Sequence, residues 1–448
     1  MDASAQKPPH AAATAQPALL RELNWVDTTA MVVGCVIGSG IFLVPGSVAG
    51  QLTSFGEVML VWIVGGVLTV FGALSLAELG AAYPGSGGLY IYLRQAFGRP
   101  MGFLYGWGEL SMIHSGSVAT LAAGFSLYVA QLFPMGTVGQ KAVGIACIAL
   151  LTLVNCIGVR SGKIVQNIFT VAKVGGLAAM IVLLLSRGKP METLSGELLP
   201  NGLPGIAPFG IALVAVLWAY EAWHQVSFAA GEIKDPPRDL PRGLAVGTLA
   251  IVAIYLLANL AYYSVLSPDA VRQSQAVAAT ALTVTYGPVA TTFISVLILL
   301  SIFGALNGAI LCGPRVYYAM ATEGLFFKKF AEVHPQWRTP VFAIVVQGAW
   351  AAALTLMGNF QQLFTYVIFT AWIFYGLCAA AVIVLRLREP HLARPFKVPG
   401  YPVTPALFVL AAAGLTVNTI MTDPRNALFG ISFILAGIPL YYFFRKRA

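Results

Sequence analysis

Apolar positions in this chain gather into runs of about 20 residues or more, separated by short stretches where charges, Pro and Gly collect. Runs of that length match helices that cross the hydrocarbon core of a bilayer. Twelve stand near residues 25–50, 56–81, 101–133, 138–157, 165–186, 207–231, 243–266, 286–322, 340–357, 361–386, 403–421 and 427–444. The pattern predicts an all-α polytopic membrane protein with twelve transmembrane helices. The spans at 101–133 and 286–322 are longer than a bilayer needs and are expected to tilt or protrude. Short connections leave no room for a soluble domain.

Composition agrees with this. Of 448 residues, 26 are Lys or Arg and 17 Asp or Glu, so 10% are charged, against about 25% in soluble domains. With 58% of residues apolar, most of the exterior must meet lipid, which excludes an ordinary soluble enzyme. The net charge of +9 does not indicate nucleic acid, because the basic residues stand singly between apolar runs. Their distribution instead sets orientation. Nineteen fall on the side of both termini and five on the other, so the positive-inside rule places both termini in the cytoplasm. Residues 1–24 are polar and Ala-rich, without the features of a cleaved signal. Cys35, Cys147, Cys156, Cys312 and Cys378 all lie in apolar runs, as small buried hydrophobes rather than a disulfide framework. No Asn-x-Ser/Thr sequon occurs, in keeping with a bacterial inner membrane.

Two spans are unlike packed helices. The first reads Gly34-Cys35-Val36-Ile37-Gly38-Ser39-Gly40-Ile41-Phe42, and each mid-span glycine weakens helix by roughly 1 kcal/mol relative to Ala. A break at Gly38–Gly40 is expected. The sixth carries Trp218-Ala219-Tyr220-Glu221-Ala222-Trp223-His224 at a similar depth, including an acid that lipid does not tolerate. Spans one and six each open a run of five, and interruptions at matching places in two halves point to an inverted-repeat transporter with its site at the midplane. Gly34 and Gly38 also satisfy GxxxG, a small-residue packing face; that alternative accounts for the first segment but not for Glu221.

A break frees backbone N–H groups at the start of one half-helix and carbonyls at the end of the other, and hydrocarbon satisfies neither. Amides at Ser39, Gly40 and Ile41, at the positive end of the following half-helix, suit a carboxylate; carbonyls near Val36 and from the sixth span suit an ammonium. A ligand with both charges a bond or two apart is an α-amino acid.

Several segments carry a family resemblance. Val36 to Phe42, Trp218 to Trp223 with Gly231 to Pro241, Glu78 to Gly88, Gly313 to Met320 and Gly400 to Pro405 together resemble the amino acid, polyamine and organocation superfamily, its L-type branch above all. The likeness covers nearly the whole chain after residue 24. It implies a LeuT-like fold of two inverted five-helix repeats plus two peripheral helices: a cytoplasmic N-terminus at 1–24, repeats at 25–187 and 207–387 joined by an extracellular connection at 188–206, and a cytoplasmic loop with the peripheral helices at 388–448. It also implies that Ser39 and Gly40 bind the substrate carboxylate, beside the Ile41 amide, and the carbonyls of Val36, Trp218 and Glu221 the amine. Trp218 would be an aromatic gate, with Tyr220 and Trp223 beside it and Phe369 and Trp372 bordering the pocket from span ten. For all five the competing role is packing.

Ionisable residues inside a membrane are functional candidates. Lys173 is too far from either end of its span to snorkel. In similar transporters an ammonium here replaces a structural Na⁺ between spans one and eight, which implies sodium-independent transport; the alternative is a structural pair with an acid such as Glu109. Glu221 and His224 form Glu-x-x-His, but a single copy without partners makes a metal site improbable. Relatives often have Gly or another small residue at Glu221, so an acid there favours a polar or cationic substrate side chain or a contact with the α-amine. Glu109 and His114 are candidates for a proton pathway. Residues 232–239 form a charged cluster able to latch the inner gate.

The expectation is a sodium-independent secondary transporter working by alternating access, an exchanger of neutral or small L-amino acids, with proton-coupled uptake or transport of cationic amino acids or polyamines as the alternative. No cofactor is indicated. A membrane sensor of amino acids competes less well, since no long cytoplasmic output domain is present. An enzyme competes less still, since no nucleophile set, HExxH, P-loop or paired catalytic acids appear. L-type relatives in animals join a single-span partner through a Cys before span four; the loop Pro134 to Lys141 has none, so no disulfide-linked heavy chain is expected. The partners are an amino acid substrate and the lipid bilayer.

Overall fold

In hydrocarbon a backbone can satisfy its polar groups only from within, and the long apolar runs fold accordingly. The computed structural model describes residues 21, 23–157, 159–195 and 202–446, nearly all of them helical. Helix α1 (Trp25–Val36) opens on Asn24, whose side chain accepts the amides of Val26 and Asp27 while Asp27 accepts the amide of Asn24, a reciprocal cap. Helix α2 (Gly40–Gln51) continues at 47° to it. Helix α3 (Phe55–Ala82) starts with the same device, Ser54 with Glu57. Helices α4 (Leu89–Phe97) and α5 (Arg99–Gly108) lead into a π-helical turn, Glu109–Ile113, and then α6 (His114–Leu132).

Next come α7 (Thr137–Ile157), α8 (Val159–Arg187) and the short α9 (Pro190–Ser195). Helix α10 (Ile206–Ala219) ends in a turn followed by a 3-10 helix, Gln225–Glu232. Beyond it run α11 (Pro236–Val265), the short α12 (Pro268–Gln273) and α13 (Val277–Tyr286), α14 (Pro288–Cys312) and α15 (Pro314–Thr322). The chain closes with α16 (Val341–Met357), α17 (Phe360–Arg388), α18 (Val403–Thr422) and α19 (Pro424–Arg445).

Among the described residues nine spans are long and apolar enough to cross a membrane, ten when the bent pair α1 and α2 counts as one. The expected sixth span is α10 with its turn and 3-10 helix, and the expected ninth is the 17-residue α16. This is a multi-pass membrane protein.

The interrupted elements sit at the centre. Helix α11 packs along α1 and α3, α14 against α6 and α8, and α2 beside α10. A close backbone crossing joins the two interruptions: a Cβ on Gly40 would stand 2.4 Å from the Cα of Ala219. Glycine is required at that crossing because two backbones touch there.

At the end of the bundle where α1 begins, polar bonds join elements distant in sequence. Leu23 pairs in parallel with Ile233, its amide donating to the Glu232 carbonyl at 3.0 Å while Lys234 N–H donates to the Leu23 carbonyl at 2.8 Å. Of the charged cluster at 232–239, Glu232 accepts from Arg315 Nε at 2.7 Å. Glu78 accepts two bonds from Arg386, at 2.8 and 2.6 Å, and one from the amide of Val398 at 2.7 Å, with Arg394 at 3.6 Å. Tyr90 donates to Glu323 at 2.6 Å, and Arg94 pairs with the same carboxylate. Burial, reinforced by the Glu323 contact, holds the Tyr90 phenol above the ordinary tyrosine range, so it remains a donor.

Candidate functional site

Helix α1 ends where its last amide bond, Ile37 N–H to the Val33 carbonyl at 3.0 Å, is made. The first backbone bonds of α2 run from Phe42 and Leu43 to the Ser39 carbonyl, at 3.2 and 3.1 Å. The amides of Ser39, Gly40 and Ile41 therefore precede the first bonded donor, at the positive end of a half-helix. The Ser39 hydroxyl is buried without a hydrogen-bond partner.

Carbonyls released by the end of α1 meet three side-chain donors. Lys173 of α8 extends its ammonium to the carbonyls of Gly34 and Ile37, the latter at 2.9 Å, and Ser301 of α14 donates to Ile37 at 3.3 Å. Lys173 is thus held by helix carbonyls and not by Glu109, whose carboxylate faces Tyr105, His114 and His224. The Val36 carbonyl accepts from Tyr255 at 3.2 Å, and the same hydroxyl lies 3.1 Å from the carbonyl of Ala219, so α11 ties the two interruptions together. Ile37, with two donors, is saturated, while the Val36 carbonyl keeps a lone pair available.

The second interruption bends sharply. Ala222 has φ +79°, a conformation that strains a residue with a Cβ by about 1–3 kcal/mol and persists where surroundings enforce it. Glu221 accepts from Tyr375 at 2.6 Å through Oε1, while its Oε2 has no partner.

Between the breaks lies a cavity of about 20 Å³, measured as space open to the centre of a water molecule, room for one or two waters. It is lined by Cys35, Val36, Gly38, Ser39 and Gly40 of the first break, Trp218, Glu221, Ala222 and Gln225 of the second, Ser117 and Leu121 of α6, and Ala305 and Ala309 of α14. Four of these, Ser39, Trp218, Glu221 and Gln225, carry buried polar atoms without hydrogen-bond partners. Such atoms are costly unless a polar ligand or water meets them. Above the cavity the Trp218 ring stacks on Phe364 at 6.2 Å and meets Phe360 edge-on at 6.3 Å.

The structure brings together Val36, Ser39, Gly40, Trp218 and Glu221 of the residues singled out from sequence. It sets others apart. Ile41 is fully buried and its carbonyl accepts from Tyr262 at 3.3 Å, so only its amide is left to the site. Tyr220 points to α3 and α11, donating to the Trp62 carbonyl at 3.2 Å, and Trp223 packs on Tyr375 and His224. The expected pocket border on α17 is corrected: Trp372 stacks on Phe408 of α18 at 5.0 Å, and Phe369 packs against Gly430 of α19. Both face the peripheral helices. Sequence reading missed Ser117, Ala305 and Ala309; the run His114-Ser115-Gly116-Ser117 and the small residues four apart on α14 were the available signals. Among the described residues no group of three His, Cys, Asp or Glu side chains is placed to hold a metal ion.

A many-helix membrane bundle whose two interrupted helices enclose a polar cavity is the architecture of a solute carrier. The comparisons specify which kind. The amino acid permease family model matches residues 23–444. The serine/threonine exchanger SteT of Bacillus subtilis (strain 168) is 35% identical over 433 residues, covering 96% of this chain and 98% of that one. The human b(0,+)-type amino acid transporter 1 is 33% identical over 95% of this chain and 88% of its own length. The human large neutral amino acids transporter small subunit 2 is 33% identical over 95% of this chain and 80% of its own. The chain belongs to the amino acid permease family.

Proposed function

We propose that this permease is a sodium-independent exchanger of small or neutral L-amino acids, working by alternating access in a bacterial inner membrane with both termini in the cytoplasm. The observation that carries this reading is the pairing of unbonded amides and an unpartnered Ser39 hydroxyl with Lys173 lodged in the carbonyls beneath them. The α-carboxylate rests on Ser39, Gly40 and Ile41, at the positive end of α2. The α-ammonium takes the remaining lone pairs on the Val36, Trp218 and Glu221 carbonyls. Lys173 supplies permanently the positive charge that a bound sodium ion would otherwise bring to the end of α1, so no sodium is required.

The name of one relative, a serine/threonine exchanger, supports exchange, that of another, a b(0,+)-type amino acid transporter, supports amino acids as the cargo, and the tight cavity favours small ones. Trp218 acts as the gate, because any substrate larger than a few waters must displace its ring from the Phe364 stack. The remaining architecture follows the same reading: twelve crossings in two inverted sets of five, with α18 and α19 peripheral. No disulfide-linked partner is needed, since all five cysteines are buried. No chemical bond changes in transport, so the protein is not an enzyme.

Uptake of radiolabelled L-serine, L-threonine, L-leucine and L-arginine into proteoliposomes tests this. Flux should require amino acid inside the vesicles and be unchanged when Na⁺ is replaced by choline. Equal flux into empty vesicles, or loss of flux without Na⁺, would overturn it.

A further inference from the structure

Beside the substrate cavity, and away from Lys173, lies a second buried polar group. It comprises Glu221 and His224 of the turn after α10, Tyr375 of α17, Glu109 of the π-helical turn and His114 of α6, none more than 6% exposed. Tyr375 donates to Glu221 Oε1 at 2.6 Å, and His224 Nδ1 lies 3.1 Å from the same hydroxyl. His224 Nε2, itself 3.3 Å from that hydroxyl, is 3.9 Å from Glu109 Oε1, which also accepts from Tyr105 at 2.5 Å. His114 completes the line, with Nδ1 at 3.4 Å from Glu109 Oε2 and Nε2 at 2.6 Å from the Ala309 carbonyl.

This geometry holds at least one proton beyond those of neutral imidazoles and ionised carboxylates. A carbonyl only accepts, so His114 Nε2 bears hydrogen, and a neutral ring then turns the lone pair of Nδ1 toward the carboxylate of Glu109. Two acceptors face one another unless a proton lies on one of them. Charge balance asks for more. The two carboxylates and two imidazoles have no Lys or Arg partner among the described residues, and they reach neutrality when two protons are shared among them. The other titratable groups nearby are Tyr317 of α15 and Cys378 of α17 near this set and Cys312 of α14 beside His114, none of which brings a positive charge to it. One end of the chain is open to exchange: Glu221 lines the substrate cavity and its Oε2 is unpartnered.

We propose that the Glu221–Tyr375–His224–Glu109–His114 chain is a proton site in competition with the substrate: a substrate cation arriving at Glu221 takes the place of one shared proton, which leaves. Binding of one substrate molecule then releases up to one proton, and acid weakens binding. The direction follows from competition, since the protonated chain has no free negative charge for the incoming cation. A proton can equally occupy the site when no amino acid does. The inference rests on the amino acid reading above, because it needs an amine-bearing ligand at Glu221.

The test is binding of L-serine and L-arginine to the purified full-length protein by calorimetry between pH 5 and pH 8, with released protons counted by dye in weak buffer. Wild type should lose affinity on acidification, by up to tenfold per pH unit for one linked proton, and release close to one proton per bound ligand. Glu221→Gln should bind with a nearly flat pH profile and no release, and Tyr375→Phe with a reduced slope. A pH-independent affinity without release in wild type, or an unaltered slope in Glu221→Gln, would overturn the proposal. If the variants do not fold, the wild-type proton count decides alone. Absence of binding by any amino acid would instead remove the transport reading, and this one with it.

Discussion

Lys173 Nζ stands 2.9 Å from the carbonyl oxygen of Ile37, the first residue past the end of α1. A cation from α8 thereby finishes a helix that its own sequence cannot continue, since Gly38 to Gly40 interrupt it. Replacement of Lys173 by Ala leaves the carbonyls of Gly34 and Ile37 short of a charged donor, a loss on the order of 1.5–3 kcal/mol per charged bond. Flux in proteoliposomes should fall at least tenfold and the melting temperature in detergent should drop. Wild-type flux in Lys173→Ala would remove Lys173 from the mechanism.

Gly40 is expected to tolerate nothing larger. A Cβ there would lie 2.4 Å from the Cα of Ala219, and backbone on both sides leaves no flexible group to move aside. Gly40→Ala should destabilise the protein by about 1–3 kcal/mol, the range for overpacking, and suppress transport. Gly50, whose Cβ would meet nothing within 4 Å, is the matched control: Gly50→Ala should leave the melting temperature and flux unchanged.

Selectivity should follow the unpartnered oxygen of Glu221. With Glu221→Gly the cavity gains volume and loses its acid, so uptake of L-arginine should fall relative to L-leucine by roughly tenfold, equivalent to about 1.4 kcal/mol. A competition panel of neutral and cationic amino acids reads this ratio directly. An unaltered ratio would make Glu221 structural.

Away from the cavity, Glu78 supports the end of the bundle at which α1 begins. Its carboxylate is 2% exposed and holds Arg386, Arg394 and the amide of Val398. Removal of one partner of a buried pair costs about 3–5 kcal/mol, so Glu78→Gln should lower the melting temperature markedly. Arg94→Gln, whose pair with Glu323 is 24% and 31% exposed, should lower it far less.

Much of this was legible in the sequence, and for identifiable reasons. Three glycines in one span and an acid in another are departures from what lipid accepts, so the breaks near Gly38–Gly40 and at Tyr220–His224 stood out, as did Lys173 midway along α8. The side of each helix did not. Helix α17 is apolar all round, because its lipid-facing and protein-facing sides use the same residues, and nothing in the pattern says that Phe369 and Trp372 turn toward α18 and α19. The π-helical turn at Glu109–Ile113 adds a residue to one helical turn, and the glycines before it, Gly106 and Gly108, read equally well as part of a regular helix. That turn places Glu109 between two histidines, a relationship that spacing along a regular helix does not give.

The three residues at which Leu23 clasps Glu232, Ile233 and Lys234 have a mechanical consequence. The clasp couples the lower arms of both interrupted helices, so neither can swing outward alone. Together with the crossing of Gly40 and Ala219, it fastens the two interrupted helices at two levels, so that a pull on the segment before α1 is shared by both breaks.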